Sequence, residues 1–420
     1  MRRRSHSFLL LMLAACSGGC QLGNPVAVSG GLLEQTDVFI SGQDGVAQYR
    51  IPVLVTSNQG TLLAFCDARL DLMADAPNNI DLVMKRSLDG GKTWGPMQVL
   101  LDVGAGAACD SCALVDRETG TIWVFTCYFP EGIGSLKAQP GLSGPTAMIW
   151  ALTSDDDGET WSAPIDITAM VKSPLWYAGS PGPGKGIQAR SGRLILPKYF
   201  IKEAQYSASH IVFSDDHGDS WEIGGTAPSN GMTNECQVAE LTDGTLLLNM
   251  RNRLSGHHRW VSRSSDGGLS WSKVVKDPNL IGPLCQASLA NFTNSIDHDK
   301  DRILFSNPAS AVTRTNMTVR LSYDGGRTWP VAKQLHAGPS AYSCLTTLAD
   351  MTIGCFYERG HKDRSEWLGG CAPYEKITFA RFNLQWLTDG KDAVREPERQ
   401  GHGPGLSTSN HPEFTNVFTE

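Results

Sequence analysis

Short runs of β-branched, leucine and aromatic residues recur along most of the chain, and clusters of glycine, aspartate, asparagine and proline separate them. No long stretch shows apolar residues at the period of about 3.6 positions that an amphipathic helix requires. Short apolar runs bounded by turn-forming residues are typical of β-strands. The pattern therefore predicts an all-β chain.

Two elements of this pattern each occur six times. The first is a small turn followed by an apolar or β-branched run, at residues 59–63, 119–123, 191–195, 243–247, 300–304 and 350–353. The second is a further strand-like run, at residues 81–86, 147–152, 210–213, 259–263, 317–321 and 377–382. Six units with several strands each predict a six-bladed β-propeller, an architecture that leaves few open sheet edges. We assign this domain to residues 35–387.

An eight-residue turn of the form Ser-x-Asp-x-Gly-x-Thr/Ser-Trp occurs five times, at residues 87–94, 154–161, 214–221, 264–271 and 322–329. The Ser and Asp side chains can accept hydrogen bonds from nearby backbone N–H groups, and glycine supplies a position with positive φ. A metal site needs several converging oxygen ligands, whereas the central Asp is the one carboxylate common to all copies. We therefore interpret the repeat as a structural fastener, in which the tryptophan ring packs on the neighbouring strand.

Composition excludes some classes of partner. The chain has 420 residues, of which 41% are hydrophobic, so it can bury a substantial core. Its formal net charge is -7, and no basic run occurs after the first residues. Because a nucleic-acid-binding domain normally carries a basic patch or stripe, we expect no nucleic acid partner.

The first residues have the pattern of an export signal. A basic start at residues 2–4 precedes a short apolar core at 8–13, which is too short to span a bilayer. The segment Leu-Ala-Ala-Cys at 13–16 is similar to the cleavage box of bacterial lipoproteins, in which the cysteine becomes the lipidated first residue. The resemblance implies lipidation at Cys16, and an ordinary cleaved signal with an incidental cysteine is the alternative.

These features predict a signal peptide at residues 1–15 and a tether at 16–34. The protein is expected to be exported, either lipid-anchored at a bacterial cell envelope or extracellular. Residues 388–420 are polar and rich in glycine, proline and histidine, which predicts a loose C-terminal tail.

The chain contains 11 cysteines, and without Cys16 an even number remains, which permits disulfides without identifying any. Cys109 and Cys112 form a Cys-x-x-Cys pair, and no second pair with metal-ligand spacing follows. We interpret this pair as a local disulfide or as packed thiols rather than as a zinc site. No organic cofactor or metal is predicted, and no loop requires a structural calcium.

Several stretches carry residues suited to anion binding or acid–base chemistry. Arg50 opens an Arg-Ile-Pro segment, and Glu235 and Arg251 lie at the two ends of one predicted strand pair. Arg314 precedes the fifth aspartate turn, and Tyr342 follows it. Taken singly, each arginine is more often a surface salt-bridge partner.

Taken together, these motifs resemble those of the bacterial exo-sialidases (neuraminidases) of the propeller superfamily. The similarity covers roughly residues 35–385 and consists of the Arg-Ile-Pro element, the repeated aspartate turns, and Glu, Arg, Arg and Tyr elements in the family's order. It implies a retaining exo-α-sialidase that releases terminal sialic acid from glycoproteins, glycolipids or oligosaccharides through a tyrosyl-enzyme intermediate.

The resemblance implies that Arg50, Arg251 and Arg314 bind the carboxylate of sialic acid. The planar fork of a guanidinium donates paired, charge-assisted hydrogen bonds to a carboxylate. Three like charges held together are costly unless an anion fills the site, so the cluster discriminates against neutral sugars.

The resemblance also implies that Tyr342 is the nucleophile and Glu235 its base. The anomeric carbon of sialic acid bears a carboxylate, so an ionised Asp or Glu nucleophile would meet electrostatic repulsion. A phenol approaches in its neutral form and loses its proton to the glutamate as it attacks.

An aspartate in the loop after the first strand pair is implied as general acid and base. We assign this role to Asp75, which lies in an Asp-Ala-Pro segment, and the nearby Asp71 is the alternative. Arg69 is expected to bind near the acid and the C4 substituent of the sugar, and Asp110 to contact the N-acetyl or C4 region. The glycine-rich residues 182–188 resemble a family loop that lines the site.

Two other functions remain open from the sequence. A non-catalytic sialoglycan-binding propeller would need the arginines but not the Asp, Glu and Tyr. A trans-sialidase, or an enzyme that forms an anhydro product, would keep the same fold and residues. In each case the partners would be sialylated glycoconjugates and, through the lipid anchor, a membrane.

Overall fold

Strands dominate the structure. A computed structural model describes residues 30–203, 206–254, 257–361 and 373–395, and the two helices among them, α1 (Thr168–Val171) and α2 (Leu384–Leu387), have four residues each. The prediction of an all-β chain is therefore confirmed. No helix in these ranges is long and apolar enough to cross a membrane. The predicted signal peptide and Cys16 lie outside the described residues.

The first ten strands belong to two different sheets. β1 (Leu33–Ile40) belongs to the last sheet of the chain. The next sheet contains two four-stranded antiparallel groups, with the strands β2 (Gln48–Thr56), β3 (Leu62–Arg69), β4 (Ile80–Ser87), β5 (Gln98–Leu101), β6 (Ala107–Val115), β7 (Ile122–Phe129), β8 (Met148–Ser154) and β9 (Ile165–Asp166). A short parallel strand, β10 (Gly184–Lys185), pairs with β6.

The central part of the chain forms two separate four-stranded antiparallel sheets. The first contains β11 (Ile187–Gln188), β12 (Leu194–Lys202), β13 (Tyr206–Ser214) and β14 (Glu222–Thr226). The second contains β15 (Thr233–Glu240), β16 (Leu246–Asn252), β17 (His258–Ser264) and β18 (Val275–Ile281).

The last sheet joins two further groups through one long strand. It contains β19 (Ser288–Thr293), β20 (Arg302–Pro308), β21 (Thr315–Ser322), β22 (Val331–Thr347), β23 (Ile353–Arg359) and β24 (Lys376–Phe382). The first half of β22 pairs with β21, and its second half, from Ser340, pairs with β23. β1 pairs with β24 from Leu33 to Ile40, so the first described strand completes the last group.

The innermost strands contact one another in chain order. β2 contacts β6, β6 contacts β12, β12 contacts β15, β15 contacts β19 and β19 contacts β22, while β22 returns to contact β2. Six clusters of buried apolar residues fill the spaces between successive strand groups in the described part of the chain. The core is therefore a series of layers between groups, and burial of this apolar area stabilises the fold.

The five aspartate turns connect the third and fourth strands of five groups. In the first, the Ser87 Oγ donates to Asp89 Oδ1 at 2.8 Å and accepts from the Gly91 N–H at 2.8 Å, while the Thr93 N–H donates to the same Asp89 oxygen at 2.9 Å. A Cβ on Gly91, whose φ is +88°, would lie 2.0 Å from the ring of Phe379. The Asp side chain is thus satisfied within its own turn, as expected of a fastener.

The residues after α2 pack against the body of the fold, so the predicted tail does not begin at residue 388. Asp392 is 8% exposed and forms an ion pair with the fully buried Arg302, at 2.8 Å between Oδ2 and Nε. Asp299 holds the same guanidinium from its other side at 2.8 Å. The buried positive charge of Arg302 requires these carboxylates, which extends the ordered domain beyond the predicted boundary.

Replacing Asp392 by Ala is expected to lower the free energy of unfolding by about 3 kcal/mol, because it leaves the Arg302 charge buried with only part of its compensation. Urea unfolding measures the effect. Asp389→Ala is the matched control, because the Asp389 side chain is 71% exposed in its ion pair with Lys333 and exposed pairs contribute little to stability. Equal losses in the two variants would contradict this account.

Candidate active site

One cavity of about 200 Å³ collects all the candidate catalytic and binding residues. They come from five of the six strand groups, and they lie where the innermost strands begin or where loops join neighbouring strands. The residues are Arg50, Arg69, Asp75, Asp110, Glu235, Arg251, Arg314 and Tyr342. Tertiary structure thus brings together side chains that lie far apart in the sequence.

Tyr342, on β22, contacts both a carboxylate and a guanidinium. Its hydroxyl donates to Glu235 Oε1, and Arg251 NH1 donates to the phenol oxygen at 3.0 Å. The same NH1 donates to Glu235 Oε2 at 2.7 Å. Burial and the Glu235 carboxylate raise the pKa of Tyr342 well above its usual value, although Arg251 and Arg314 act in the opposite direction. The phenol is therefore neutral in this state and has a carboxylate in place to take its proton.

Glu358, on β23, supports two of these side chains and was missed by the sequence analysis. It is fully buried, and its Oε1 accepts from Arg50 Nε at 2.7 Å and from the Ile51 N–H at 2.9 Å. Its Oε2 accepts from the Tyr342 N–H at 2.9 Å. Ile51 has a positive φ of 61°, so its backbone is held in an uncommon conformation beside this carboxylate. One acid thus fixes both Arg50 and the backbone that carries the candidate nucleophile.

Two tyrosine side chains and one backbone carbonyl orient Arg314 and Arg50. Arg314 NH1 donates to the Tyr374 hydroxyl at 2.6 Å, and its NH2 donates to the Leu284 carbonyl at 2.9 Å. The Arg50 guanidinium carbon lies 3.9 Å from the centre of the Tyr374 ring and 5.1 Å from that of Tyr342, which are cation–π distances. Tyr374 is a second residue that the sequence analysis missed.

Asp75 lies in an exposed loop close to Arg69 and Arg50. Its Oδ1 accepts from Arg69 NH2 at 2.5 Å and lies 3.9 Å from Arg50 NH1. Although burial acts to raise the pKa of Asp75, the Arg69 and Arg50 charges lower it below its usual value. The Asn78 side chain holds the loop by donating to the Leu72 and Ala74 carbonyls. Asp71, the alternative acid, does not line the cavity.

Asp110 has a different environment from Asp75. It is at positive φ (55°) in a β-bulge of β6, and its Oδ2 accepts from Ser180 Oγ at 3.0 Å. Burial, together with the Glu235 and Asp75 charges, raises the pKa of Asp110 to about 7. Its backbone N–H donates at 3.4 Å to Asp67, a fully buried acid whose pKa is raised by burial and by Asp110. The cavity therefore holds acids in different charge states near neutral pH.

Another side of the cavity is apolar. Ile80, Cys109, Phe129 and Ala178 line it and are almost fully buried. With the arginines on one side and these groups on another, the cavity suits a ligand that has an anionic group and an apolar substituent.

None of the glycine-rich residues 182–188 lines this cavity, and two glutamine side chains hold the start of the segment. Gln237 Nε2 donates to the Gly182 and Pro183 carbonyls at 3.1 Å each, and Gln286 Nε2 donates to the Pro183 carbonyl at 2.7 Å. A Cβ on Gly182 would lie 2.1 Å from the Cys236 carbonyl oxygen, so the close approach needs glycine. The expectation that this loop lines the site is therefore wrong in detail.

A larger cavity, of about 920 Å³, lies at the other end of the same innermost strands. Along β15 the chain passes from Glu235 in the smaller cavity through the buried Gln237 to Glu240 in the larger one. None of the candidate catalytic or binding residues lines the larger cavity. The smaller cavity is therefore the candidate active site because of its chemistry rather than its size.

Little in the sequence indicates that the site contains Glu358, Tyr374 and Asp67. Glu358 and Asp67 are acids within strands that are otherwise mostly apolar. Such residues are rarely buried without a partner, so each could have been marked as a candidate ion-pair residue. Neither pattern identifies the partner, and Tyr374 carries no distinguishing local pattern.

Comparisons with known proteins agree with the sequence motifs. A family model described as BNR repeat-like domain matches residues 60–355. A sialidase of Bacteroides fragilis is 37% identical over 337 residues, which cover 76% of this chain and 61% of that protein. A sialidase of Micromonospora viridifaciens is 37% identical over 411 residues, which cover 92% and 60%. The chain thus spans about six tenths of the length of these relatives.

Solved structures show the same likeness. The Hadza microbial sialidase Hz136 superimposes with a TM-score of 0.76 at 37% identity, covering 84% of this chain and 69% of that one. An intramolecular trans-sialidase of Ruminococcus gnavus superimposes with a TM-score of 0.73 at 24% identity, covering 84% and 98%. At that identity the second likeness shows the fold alone.

Proposed function

Because the chain belongs to the sialidase family of BNR-repeat proteins, we propose that it is a retaining exo-α-sialidase. It hydrolyses terminal sialic acid from glycoproteins, glycolipids or oligosaccharides through a tyrosyl-enzyme intermediate. The observation that carries this proposal is the contact of Tyr342 with Glu235 and Arg251, in a cavity that Arg50 and Arg314 also line.

The proposed architecture is a six-bladed β-propeller. Support comes from the six four-stranded groups, the apolar layers between them, and the return of the innermost strand contacts from β22 to β2. In such an arrangement the innermost strands surround an axis, and loops at one end of that axis form the site.

The three arginines are proposed to bind the substrate carboxylate. Arg251 Nε is buried and has no acceptor among the described residues. A buried donor without a partner is costly, and a carboxylate oxygen would satisfy it. Arg50 and Arg314 have one side held by Glu358 and Tyr374, which orients their remaining donors before substrate arrives.

Tyr342 is proposed to attack the anomeric carbon while its proton moves to Glu235. Arg251 donates to the phenol oxygen and stabilises the negative charge that develops there. The bond from the anomeric carbon to the leaving oxygen breaks as the bond to the tyrosine oxygen forms. A neutral phenol avoids the repulsion that a carboxylate nucleophile would meet at a carbon bearing a carboxylate.

Asp75 is proposed to protonate the leaving oxygen and then to deprotonate the attacking water. In the free protein the Arg69 and Arg50 charges lower its pKa. A bound substrate carboxylate neutralises part of this positive charge, so the pKa of Asp75 rises and the acid form becomes available. Once the glycosyl-tyrosine has formed, the ionised Asp75 is the base that water needs.

The raised pKa of Asp110 predicts that kcat/KM depends on pH. Because its pKa is raised to about 7, the group is neutral below that pH and ionised above it. Ionisation adds a negative charge to a cavity that must accept an anionic sugar, so kcat/KM should fall as pH rises, by up to about tenfold per pH unit. In Asp110→Asn the alkaline fall should be largely absent, and pH profiles of kcat/KM for both proteins measure it. An unchanged alkaline limb in the variant would contradict the assignment.

A fluorogenic α-sialoside assay on the purified protein tests the proposed function. We expect hydrolysis of the sialoside and none of a matched glycoside without the carboxylate. Binding without turnover would favour a glycan-binding protein, whereas a sialylated acceptor or an anhydro product would identify a transferase on the same fold. Product analysis by mass spectrometry distinguishes these outcomes.

We also propose that the protein is exported and lipid-anchored through Cys16. The basic start, the short apolar core and the Leu-Ala-Ala-Cys segment support this proposal. Expressed in a bacterial host, the wild type should partition into the detergent phase and Cys16→Ser should not. Equal partitioning of the two proteins would contradict the anchor.

A further inference from the structure

Two buried cysteines face each other beside the candidate active site. Cys109 on β6 and Cys127 on β7 are directly opposite in the antiparallel register, and both are free thiols. The neighbouring Cys127 thiol is the largest cause that raises the pKa of Cys109 above its usual value, followed by burial. The sulfur atoms are therefore neighbours across the strand pair.

The pair differs from the one that sequence spacing suggested. A bulge lies between Cys109 and Cys112, and the register places Cys112 opposite Phe125 rather than beside Cys109. The local Cys-x-x-Cys spacing therefore does not identify the nearest thiol. Cys127, in the next strand, is the structural partner of Cys109.

The geometry needs only a small change to form a disulfide. Directly opposite residues of antiparallel strands have Cβ atoms about 4.5–5.5 Å apart, whereas a disulfide holds its Cβ atoms about 3.8 Å apart. Closing the bond therefore moves β6 toward β7 by roughly 1 Å at Cys109. The residue that follows is Asp110, which lies at positive φ in the cavity wall.

The active-site cavity gives access to one thiol of this pair. Cys109 is 7% exposed, and of the described cysteines it is the one that lines the active-site cavity, so a small disulfide can reach it. Because the Cys127 thiol and burial raise the pKa of Cys109, exchange is slow near neutral pH and becomes faster as pH rises.

We propose that Cys109 and Cys127 form a reversible disulfide that lowers turnover at the adjacent site. Formation of the disulfide does not depend on the proposed function, whereas the effect of the disulfide on turnover rests on that function. An exported protein meets the oxidising conditions in which disulfides persist. Displacement of Asp110 and of the cavity wall by roughly 1 Å is enough to reduce catalysis by an order of magnitude or more.

The chemistry is a balanced thiol–disulfide exchange with a small-molecule disulfide. The Cys109 thiolate attacks one sulfur of the oxidant, which forms a mixed disulfide and releases one thiolate. The Cys127 thiolate then attacks the Cys109 sulfur and displaces the second thiolate. Two protein thiols are oxidised, one disulfide reagent is reduced to two thiols, and the two protein protons pass to these products.

Oxidised glutathione is the reagent for the test. After treatment of the purified protein, alkylation and proteolysis, mass spectrometry should find a peptide linked between Cys109 and Cys127. Cys112→Ala should give the same linked peptide, whereas Cys127→Ala should give glutathione attached to Cys109. The kcat/KM of the wild type for the fluorogenic sialoside should fall by about tenfold and recover with dithiothreitol.

Three outcomes would overturn the proposal in whole or in part. Absence of a linked peptide from the wild type, or a link between Cys109 and Cys112, would overturn the disulfide. A stoichiometric Cys109–Cys127 link with unchanged kcat/KM would overturn the effect on turnover. If the reduced protein hydrolyses no sialoside, the proposed function fails, and the linked peptide still decides whether the disulfide forms.

Discussion

Tyr342→Phe is expected to lower kcat for sialoside hydrolysis by about a thousandfold or more, because the variant has no oxygen to attack the anomeric carbon. Affinity for a sialic acid analogue should change by no more than about threefold, since the proposed carboxylate contacts come from the arginines. The ring also stays, and with it the cation–π contacts with Arg50 and Arg314. Steady-state kinetics with the fluorogenic sialoside and calorimetric titration with the analogue measure the two effects.

Tyr357→Phe is the matched control for this experiment. Tyr357 is fully buried in β23, and its hydroxyl donates to Gln35 Oε1 at 3.1 Å, away from the cavity. The substitution removes the same atom and should leave kcat within about twofold of wild type, since the Tyr357 hydroxyl bonds to Gln35, which does not line the cavity. A Tyr342→Phe protein that kept a tenth of wild-type kcat would show that Tyr342 is not the nucleophile.

Glu358→Gln is expected to lower kcat/KM by about a hundredfold, because the carboxylate orients Arg50 and the backbone of Tyr342, the proposed binding and reacting residues. Its Oε1 accepts from Arg50 Nε and the Ile51 N–H, and its Oε2 accepts from the Tyr342 N–H. An amide offers one acceptor oxygen and places an NH₂ donor against one of these donors. We expect KM to rise through Arg50 and kcat to fall through Tyr342.

The same substitution should also lower the free energy of unfolding by about 3 kcal/mol, since it leaves the charge of Arg50 buried without its partner. Glu240→Gln is the matched control, because Glu240 accepts from the Arg190 N–H at 2.9 Å and lies in the other cavity. Its kcat/KM should stay close to wild type. If Glu358→Gln kept kcat/KM within about threefold of wild type, the carboxylate would not position the site.

The repeated motifs made much of the fold predictable. The aspartate turns and the short apolar runs between turns depend on local backbone geometry, so their positions follow from neighbouring residues. The end of the ordered domain was less predictable. Asp392 looks like part of a polar tail in the sequence, and only its contact with the buried Arg302 shows that residues after 388 pack against the body.

The candidate site was predictable where a residue belongs to a motif that resembles one of the sialidase family. Arg50, Arg251 and Tyr342 were predicted through that resemblance, and they line one cavity. Glu358 was missed because its partner Arg50 lies 308 positions away, and nothing near Glu358 in the sequence indicates that contact. The roles assigned to these residues stay predictions until the substitutions above are tested.

The cysteines illustrate the limit of local spacing. Cys109 and Cys112 are close in sequence, but the bulge between them puts Cys112 opposite Phe125, while Cys127 of the next strand faces Cys109. Strand register and bulges arise from pairing between segments, so a count of positions along one segment cannot supply them.

By itself, the sequence determined that this protein is an all-β chain of repeated units, because turns and short apolar runs are set over a few residues. Its other motifs indicated a sialidase only through resemblance to that family. Tertiary structure alone decided which charges meet. Asp75 and Asp110 line the same cavity, yet paired arginines lower the pKa of Asp75, while burial and neighbouring acids raise the pKa of Asp110 to about 7. Desolvation and Coulomb interactions depend on distances between strand groups, and those distances exist only once the groups have packed.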